Sequence, residues 1–393
     1  MAEDAVASFK APVAHRAKLG GGSRAIGAAI ATVTIVGIGL SLSITLLAVR
    51  LAEAGYSAGA IGLNSAAGGL ATLATAPFVP ALARRLGIRP LLILSLLAGA
   101  SSLAAFAASD GYWAWFAIRI VFGAALTMLF AVSEFWISSA APEQSRGMIM
   151  GLYTTAFAIG VAAGPSILAL TGTKGGAPFL LAAALFALAV LPIGLLGGRA
   201  PVLERPARMS VLAFTAAMPA ATLAALVYGA VETAAMGLLP VYALRSGMGA
   251  ATGAALVTIF ALGNGVFQTP IGIASDHFDR RRLLPLIAGF GAIGALLLPF
   301  AREVGFAAFS TLLFVWGGVV GSLYAVGLGE LGSRYQSAEL ASANAAYIML
   351  YSAGMLAGPP LMGLGLDLAP AGFFIALAIM LAAYLGVACW RRS

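Results

Sequence analysis

Long apolar segments alternate with short polar or Gly/Pro-rich segments along the whole chain. An apolar run of about 20 residues is long enough to cross the roughly 30 Å hydrocarbon core of a bilayer as an α-helix. Twelve such runs are present, at approximately 25–49, 58–83, 90–108, 113–138, 147–171, 178–197, 211–240, 250–275, 283–300, 305–329, 340–365 and 371–390. The pattern therefore predicts an all-α integral membrane protein with twelve transmembrane helices.

Two stretches are too polar to belong to this membrane region. Residues 1–22 carry several charges among Ala and Gly and are predicted to form a flexible cytoplasmic tail. Residues 199–209 contain charged side chains and two prolines, and we predict a cytoplasmic linker there. The six-helix bundles are then residues 23–198 and 210–393. The apolar run that begins at Ile26 is too long for the core of a signal peptide and is retained as the first helix.

The two predicted bundles contain matching residues 194 positions apart. They are Tyr153, Gly160, Gly164 and Pro165 in the fifth run and Tyr347, Gly354, Gly358 and Pro359 in the eleventh. Glycines spaced four apart allow helices to approach closely, and proline can bend a helix, so we expect both segments to pack at a contact between the halves. Because each half has an even number of helices, the halves are predicted to be parallel repeats around a central pathway.

Composition and charge distribution narrow the class of protein. Hydrophobic residues make up 61% of the chain and charged residues 9%, which excludes an ordinary water-soluble protein. Of the 22 Lys and Arg residues, 17 fall on the side of the N-terminus and four in the opposite loops. Because basic residues concentrate on the cytoplasmic side, both termini are predicted to be cytoplasmic, in a bacterial cytoplasmic (inner) membrane. The net charge of +8 then reflects this bias rather than nucleic-acid binding.

Residue types needed for metal, redox or ATP chemistry are scarce. The chain has one cysteine, Cys389, and two histidines, His15 and His277. A disulfide framework and a multi-ligand metal site are therefore not expected. The chain also lacks a Walker-type phosphate loop. We expect no metal, no cofactor and no enzymatic activity.

Four motifs carry a resemblance to a known family. They are the basic turn Gly272–Arg281, the Arg-x-x-x-Gly segment Arg119–Gly123, the helix entry Pro142–Gly147, and Gly160–Pro165, which resembles a motif of proton antiporters. With these motifs the chain resembles the major facilitator superfamily from about Ser23 onwards. The resemblance implies two six-helix repeats, transport by alternating access, and a cavity lined by helices one, four, seven and ten.

Two departures from the family pattern affect what the resemblance implies. Arg84 stands where the family places an aspartate, and Leu168-Ala169 replaces the closing glycines of the antiporter motif. Efflux therefore does not follow from that motif alone. The segments Glu232–Tyr242 and Tyr324–Asn344 resemble a poorly characterised bacterial branch of the superfamily, which implies no particular cargo.

Glu232 is the acid predicted to lie deepest in the membrane, and Arg119 is the one base within a predicted span. A charged side chain at mid-span costs roughly 2.5–3.5 kcal/mol, so such residues usually mark functional sites. The resemblance places both residues on the cavity wall. We expect them to face each other and to form the proton-coupling pair, with Glu232 taking the proton. A static pair, or a glutamate bonded to backbone, is the alternative.

Other polar and aromatic residues within the spans are candidates for contacts with a solute. Two of them, Asn264 and Gln268, lie four residues apart and so share a helix face. The predicted cavity residues are Asn264, Gln268, Tyr228, Trp316, Tyr324 and Tyr351. Polar contacts between helices and ordinary aromatic packing are the alternatives for this set.

Charged residues near the cytoplasmic ends of the spans are candidates for a gate that closes that side. Since Arg84 replaces the usual aspartate, we expect Arg84 or Arg85 to pair with Glu339. We expect a second pair between Asp276 and Arg146. The full predicted gate is Arg84, Arg85, Asp276, Arg280, Arg146, Glu339, Glu134 and Glu330. Loose surface pairing, worth about 0–1 kcal/mol, is the alternative.

The sequence thus predicts a secondary active transporter that moves a small organic solute by alternating access, with proton-coupled efflux by an antiporter as the leading hypothesis. A proton-coupled importer of an organic anion, a lipid flippase and a membrane sensor without transport are the alternatives. The expected partners are the solute, protons and the lipid bilayer. We expect a monomer that binds no nucleic acid.

Overall fold

The computed structural model describes residues 19–140, 146–195, 211–335 and 337–390. Within them, twelve helical segments are long and apolar enough to cross a membrane, which confirms the predicted number of spans. The helices are, for span 1, Leu19–Glu53; span 2, Ala58–Thr75 and Val79–Leu86; span 3, Ile88–Ala108; span 4, Tyr112–Ala140; span 5, Arg146–Thr171; span 6, Ala177–Leu188 and Val190–Leu195; span 7, Val211–Ala217 and Pro219–Arg245; span 8, Ala250–His277; span 9, Arg280–Val304; span 10, Phe306–Arg334; span 11, Ser337–Leu368; and span 12, Pro370–Trp390.

The structure describes the helix of span 1 but only a small part of the two predicted non-membrane segments. The first helix begins at Leu19, inside the predicted 1–22 tail. The remainder of that tail lies outside the described residues. The predicted linker at 199–209 also lies outside them.

Spans 2 and 7 are each interrupted at a proline, where one continuous helix was expected. Span 2 passes through a single 3₁₀ turn, Ala76–Phe78, which has Pro77 in its first turn. Span 7 breaks at Met218, whose backbone has φ −139° and ψ 63°. The residue before a proline is disfavoured in the helical region, so Pro219 explains the break. Periodicity alone did not predict this interruption because both sides of it are apolar.

Successive spans cross in opposite directions, so the first described residue, Leu19, and the last, Trp390, lie on the same side of the bundle. We call that side the terminal face and the opposite side the distal face. Spans 1–6 form the first half and spans 7–12 the second half. Spans 1 and 5 pack closely in the first half, and spans 7 and 11 pack closely in the second.

The repeated glycines lie at these two equivalent contacts. A Cβ atom at Gly160 would overlap the carbonyl oxygen of Thr34 in span 1, and one at Gly354 would overlap that of Leu226 in span 7. The glycines of each motif therefore pack against a span of the same half, whereas the carbonyl of Pro359, which follows the second glycine in span 11, meets Gly62 of the other half. Absence of a side chain is what allows backbone to touch backbone at these positions.

Among the described residues, the contacts between the two halves lie in the distal part and the middle of the bundle. Gly62 of span 2 packs directly against the Pro359 carbonyl of span 11. In the opposite interface, the hydroxyl of Thr258 in span 8 donates to the carbonyl oxygen of Ala162 in span 5 at 3.2 Å. Towards the terminal face, the second helix of span 2, Val79–Leu86, packs against spans 3 and 4 of its own half. The structure thus describes a conformation that is closed at the distal face.

Candidate functional site

Glu232 lies at the midpoint of the helix Pro219–Arg245 and accepts two hydrogen bonds from tyrosines. Tyr228, one turn earlier on the same helix face, donates its phenol proton to Oε1 at 2.8 Å. Tyr351 of span 11 donates to Oε2 at 2.5 Å. Asn264 of span 8 in turn donates from Nδ2 to the Tyr228 hydroxyl. Three helices of the second half therefore hold this carboxylate through a continuous hydrogen-bond network.

Four tyrosine rings surround this network, and we call them the tyrosine cage: Tyr228, Tyr324, Tyr347 and Tyr351. The ring of Tyr324 lies 5.8 Å from that of Tyr228, 5.6 Å from that of Tyr351 and 5.1 Å from that of Tyr347, between centroids. The Tyr347 hydroxyl donates to the carbonyl oxygen of Tyr324 at 2.8 Å. Sequence reasoning had singled out the other three tyrosines, whereas Tyr347 was noted only as a member of the repeat.

The carboxylate and part of the cage can be reached from the space between the halves. Glu232, Tyr324 and Tyr351 are partly exposed, whereas Tyr228 and Tyr347 are buried. Because the distal face is closed, this access comes from the terminal side. A carboxylate with phenol donors on both oxygens, beside aromatic faces, can hold a proton or a positively charged group. Within the described residues, no cluster of His, Cys, Asp or Glu is placed to bind a metal ion.

Arg119 lies in a separate polar network in the first half. Its side chain is only 6% exposed. Nη1 donates to the hydroxyl of Ser65 in span 2 at 3.0 Å, and Nη2 donates to the carbonyl oxygen of Ile44 in span 1 at 3.4 Å. Among the described residues, no carboxylate forms an ion pair with this guanidinium. In this conformation, Arg119 and Glu232 are thus bound to different partners, and not to each other as we expected.

The other two predicted cavity residues have different surroundings. Gln268 is partly exposed on the same helix as Asn264. Trp316 is buried away from the cage: its indole donates to the Gly291 carbonyl oxygen at 2.8 Å, and its ring packs against Phe260. Its surroundings are those of a packing residue between spans 8, 9 and 10.

The predicted gate residues at the terminal face are mostly separate in this conformation. Arg84 and Glu339 are both exposed, and within the described residues neither Arg84 nor Arg85 forms an ion pair with Glu339. The side chains of Asp276 and Arg146 lie outside those that the structure describes. Their predicted pairing therefore stays a prediction.

Three other members of that set lie at or near the terminal ends of their spans. Arg280 donates to the carbonyl oxygen of Gly329 at 3.0 Å. Glu330 forms ion pairs with Arg281 at 3.3 Å and Arg334 at 3.6 Å, all within the second half. Glu134, six residues before the end of span 4, is exposed.

A bridge at the distal face was missed by sequence reasoning. Asp367, at the end of span 11, forms an ion pair with Arg245 of span 7 at 2.8 Å. Its oxygens also accept from the backbone N–H groups of Ala58 and Gly59, at 2.7 and 2.8 Å. These groups form the first turn of span 2, where helix N–H groups lack internal partners and the helix dipole favours an anion. We call this the Asp367 bridge, and it joins the two halves.

The repeat contains a signal for this bridge. Arg50 and Arg245 stand 195 positions apart, at the distal ends of spans 1 and 7. Arg50 donates to the Thr173 carbonyl oxygen at 3.1 Å, much as Arg245 donates to the Leu366 carbonyl oxygen at 3.1 Å. Only in the second half does an acid, Asp367, follow that carbonyl and extend the contact across to span 2.

Comparisons of sequence agree with this architecture. The sequence model of the Major Facilitator Superfamily matches residues 29–255 and, in a second match, 221–393. A Bacillus subtilis (strain 168) protein described as the uncharacterized MFS-type transporter YfkF is 29% identical over 336 residues, covering 83% of this chain and 85% of the relative. The similarly described transporter YcaD of Escherichia coli O9:H4 (strain HS) is 22% identical over 318 residues, covering 80% and 82%.

Solved structures of transporters share the fold. The nucleoside transporter NupG superposes with a TM-score of 0.72 at 16% identity, covering 95% of this chain and 98% of NupG. A POT family transporter in complex with 5-aminolevulinic acid gives 0.76 at 13% identity, covering 93% and 95%. At such identities the likeness concerns the fold alone. The family match, however, spans nearly the whole chain and its relatives are transporters rather than enzymes. The chain belongs to the major facilitator superfamily of membrane transporters.

Proposed function

We propose that this transporter exports a small organic solute from the bacterial cytoplasm in exchange for protons, with Glu232 as the proton carrier. The observation that carries the proposal is the position of Glu232, midway along span 7, with a phenol donor on each carboxylate oxygen. An ionised carboxylate is costly at this depth unless water or partners stabilise it. A change of water access between two conformations would therefore drive uptake and release of a proton.

The charge distribution supports the orientation needed for export. The terminal face carries most of the basic residues, and such residues concentrate on the cytoplasmic side of bacterial membrane proteins. Both chain termini would then be cytoplasmic. In the conformation described, the site would be accessible from the cytoplasm, where a solute to be exported must bind.

In the proposed cycle, the distal face opens while the terminal face closes. Breaking the Asp367 bridge would release the distal end of span 2 from span 11 and open the outer side. The terminal face would close through the predicted gate, with Arg84 or Arg85 pairing with Glu339. Protons entering from the outer side would then protonate Glu232 before the protein returns to its present conformation.

Import of an organic anion is the second candidate function, and one observation favours it. Arg119 is buried, and no described carboxylate pairs with its charge. A buried cation without a counter-ion is costly, and an anionic solute would supply the missing charge. In this reading Arg119 rather than Glu232 would contact the cargo.

Proton flux in proteoliposomes tests the assignment of Glu232 as the proton carrier. The full-length protein would be reconstituted with a pH-sensitive dye inside and challenged with a panel of small organic solutes under an imposed pH gradient. We expect solute-dependent proton flux in the wild type and only background flux in Glu232→Gln. Glu303→Gln changes an exposed acid at the distal end of span 9 and serves as the matched control. Solute-dependent proton flux that survives Glu232→Gln would overturn the assignment.

A further inference from the structure

We infer that the Glu232 site binds a monovalent organic cation, a quaternary or protonated amine bearing an apolar group, against the exposed side of the tyrosine cage. The inference rests on the proposed function, because it assigns the cargo of the same site. It goes beyond that function by naming the charge and the chemical class of the solute. Two independent features carry it: the charge around Glu232 and the arrangement of the aromatic rings.

The charge around Glu232 is negative without a basic partner among the described residues. Tyr228 of the same helix and Tyr351 of span 11 face the carboxylate. Both are neutral phenols that donate hydrogen bonds to it. Span 8 contributes the uncharged Asn264, and span 10 contributes Tyr324. A deprotonated Glu232 in this setting lacks a full counter-charge, and an organic cation would supply one.

Arg119, the basic residue within a span of the first half, is not the counter-ion of Glu232 in this conformation. The Arg119 guanidinium is bound to Ser65 and to the Ile44 carbonyl oxygen. Ser65 itself packs against Gly237, more than one turn away from Glu232 along span 7. A cation between the halves would thus reach Glu232 without displacing Arg119 from its partners.

The ring geometry favours a cation over a neutral or anionic solute. Tyr228 and Tyr351 lie 6.1 Å apart between centroids, and both contact the ring of Tyr324. A ring face attracts a cation placed within about 6 Å of its centroid, and the attraction grows when water is excluded. Tyr324 and Tyr351 are partly exposed beside Glu232, so one ammonium group can contact a ring face and the carboxylate together.

A second acid lies on the route from the terminal face. Glu134 of span 4 is exposed and lies six residues before the terminal end of that span. A cation entering from the terminal side would therefore meet Glu134 before reaching Glu232.

A proton and the organic cation cannot occupy Glu232 at the same time, and this fixes the ratio of cations to protons exchanged. The carboxylate that binds the cation must first lose its proton, and the proton that enters from the opposite side displaces the cation. One monovalent cation leaves for each proton that enters, so no net charge crosses the membrane. The affinity for the cation should rise with pH until Glu232 is fully deprotonated.

Three probes of matched size test the class of solute. Phenyltrimethylammonium is the cation, tert-butylbenzene is its uncharged isostere, and benzenesulfonate is an aromatic anion. Each would be added to the full-length protein, purified in detergent with a pH indicator in weak buffer. We expect phenyltrimethylammonium to release up to about one proton per molecule bound. The other two probes should release none.

Variants of the cage separate a ring-face contact from simple packing. Tyr324→Phe keeps the ring and should retain affinity for phenyltrimethylammonium within about threefold of the wild type. Tyr324→Leu removes the aromatic face and should weaken binding about tenfold. Tyr324 offers no phenol donor to Glu232 among the described hydrogen bonds, so this pair of variants leaves that carboxylate's donors intact. Monodisperse elution in detergent checks that each variant is folded.

The outcomes distinguish this inference from the proposed function. If benzenesulfonate or tert-butylbenzene releases the proton in a Glu232-dependent manner, the cation assignment is wrong while proton coupling through Glu232 stands. If Tyr324→Phe and Tyr324→Leu bind phenyltrimethylammonium equally, the ring-face contact is refuted. If phenyltrimethylammonium releases as much proton from Glu232→Gln as from the wild type, both the inference and the proposed function fail.

Discussion

The two halves of the protein share their packing but differ in the charge that each holds inside the membrane. In the first half, Arg119 is bound to a serine hydroxyl and a backbone carbonyl near the distal side. In the second half, Glu232 lies at mid-helix among tyrosines. The position 192 residues before Glu232 is occupied by Leu40. A duplicated scaffold can therefore rock as two similar bodies while the proposed chemistry with protons and solute belongs to one of them.

Disrupting the helix packing that the two halves share should have the largest effect, because it should reduce the amount of folded protein. Gly160→Val and Gly354→Val each place a side chain against the backbone of the neighbouring span. Overpacking costs about 1–3 kcal/mol and more where a backbone must move. We expect both variants to lose most of their folded protein, measured as the monodisperse fraction after purification. Gly151→Val, at a position with open space, should behave like the wild type. A well-folded Gly354→Val would contradict the equivalence of the two contacts.

The different charges of the halves should produce different pH dependence. In the wild type, the affinity for phenyltrimethylammonium should rise about tenfold per pH unit on the acidic limb, because the cation binds only the deprotonated site. Glu232→Gln should lose this slope. Arg119→Gln should keep it, since Arg119 is bound to other partners in this conformation. Equilibrium binding measured across pH checks both, and a slope lost only in Arg119→Gln would reverse the roles of the halves.

The distal ends of the halves also differ, because only the second half carries the Asp367 bridge. Asp367→Asn removes the charge that pairs with Arg245 and keeps one acceptor for the first turn of span 2. We expect the population open at the distal face to rise about tenfold, which corresponds to about 1.4 kcal/mol. Distances between spin labels at Glu53→Cys and Ala369→Cys, in a Cys389→Ser background, would report that population.

The first-half arginine is the matched control for this prediction. Arg245→Gln should open the distal face nearly as much as the Asp367 variant does. Arg50→Gln should change it little, because Arg50 contacts the Thr173 carbonyl oxygen and the Phe179 ring of its own half. Equal opening in Arg50→Gln and Arg245→Gln would show that the bridge has no special role.

The smallest effect is expected at the other interface between the halves, where no ion pair is found among the described residues. Thr258→Val keeps the shape of the side chain and removes its hydrogen bond to the Ala162 carbonyl oxygen. A single such bond contributes about 0.5–1.5 kcal/mol. The same spin-label distances should therefore change less than in Asp367→Asn. A larger change in Thr258→Val would move the main closing contact to spans 5 and 8.

The spans and the repeat were predictable from sequence because both depend on local pattern and spacing. Twelve apolar runs gave the twelve spans, and the Gly-Pro repeats marked the two close helix contacts. Glu232 stood out for the same reason, as an acid in the middle of an apolar run. Its association with Tyr228 could be anticipated from their spacing of one helical turn.

Contacts between helices were less predictable because they depend on how each helix is rotated and on which conformation is adopted. The hydrogen bond from Tyr351 to Glu232 joins residues 119 positions apart, and no sequence spacing indicates it. Arg119 was expected opposite Glu232 because the family resemblance places both spans on the cavity wall, which does not specify the direction a side chain takes. Asp367 was overlooked as a residue at the end of a span, although its partners lie on both halves.

The central claim is that Glu232 is the group inside the membrane that gains and loses the transported proton. Infrared difference spectra of the full-length protein, recorded between acidic and alkaline pH, report this directly through the carbonyl band of a protonated carboxyl group. We predict a band in the wild type that is absent in Glu232→Gln and retained in Glu303→Gln. Phenyltrimethylammonium should remove the same band from the wild type at acidic pH. An unchanged band in Glu232→Gln would contradict the account.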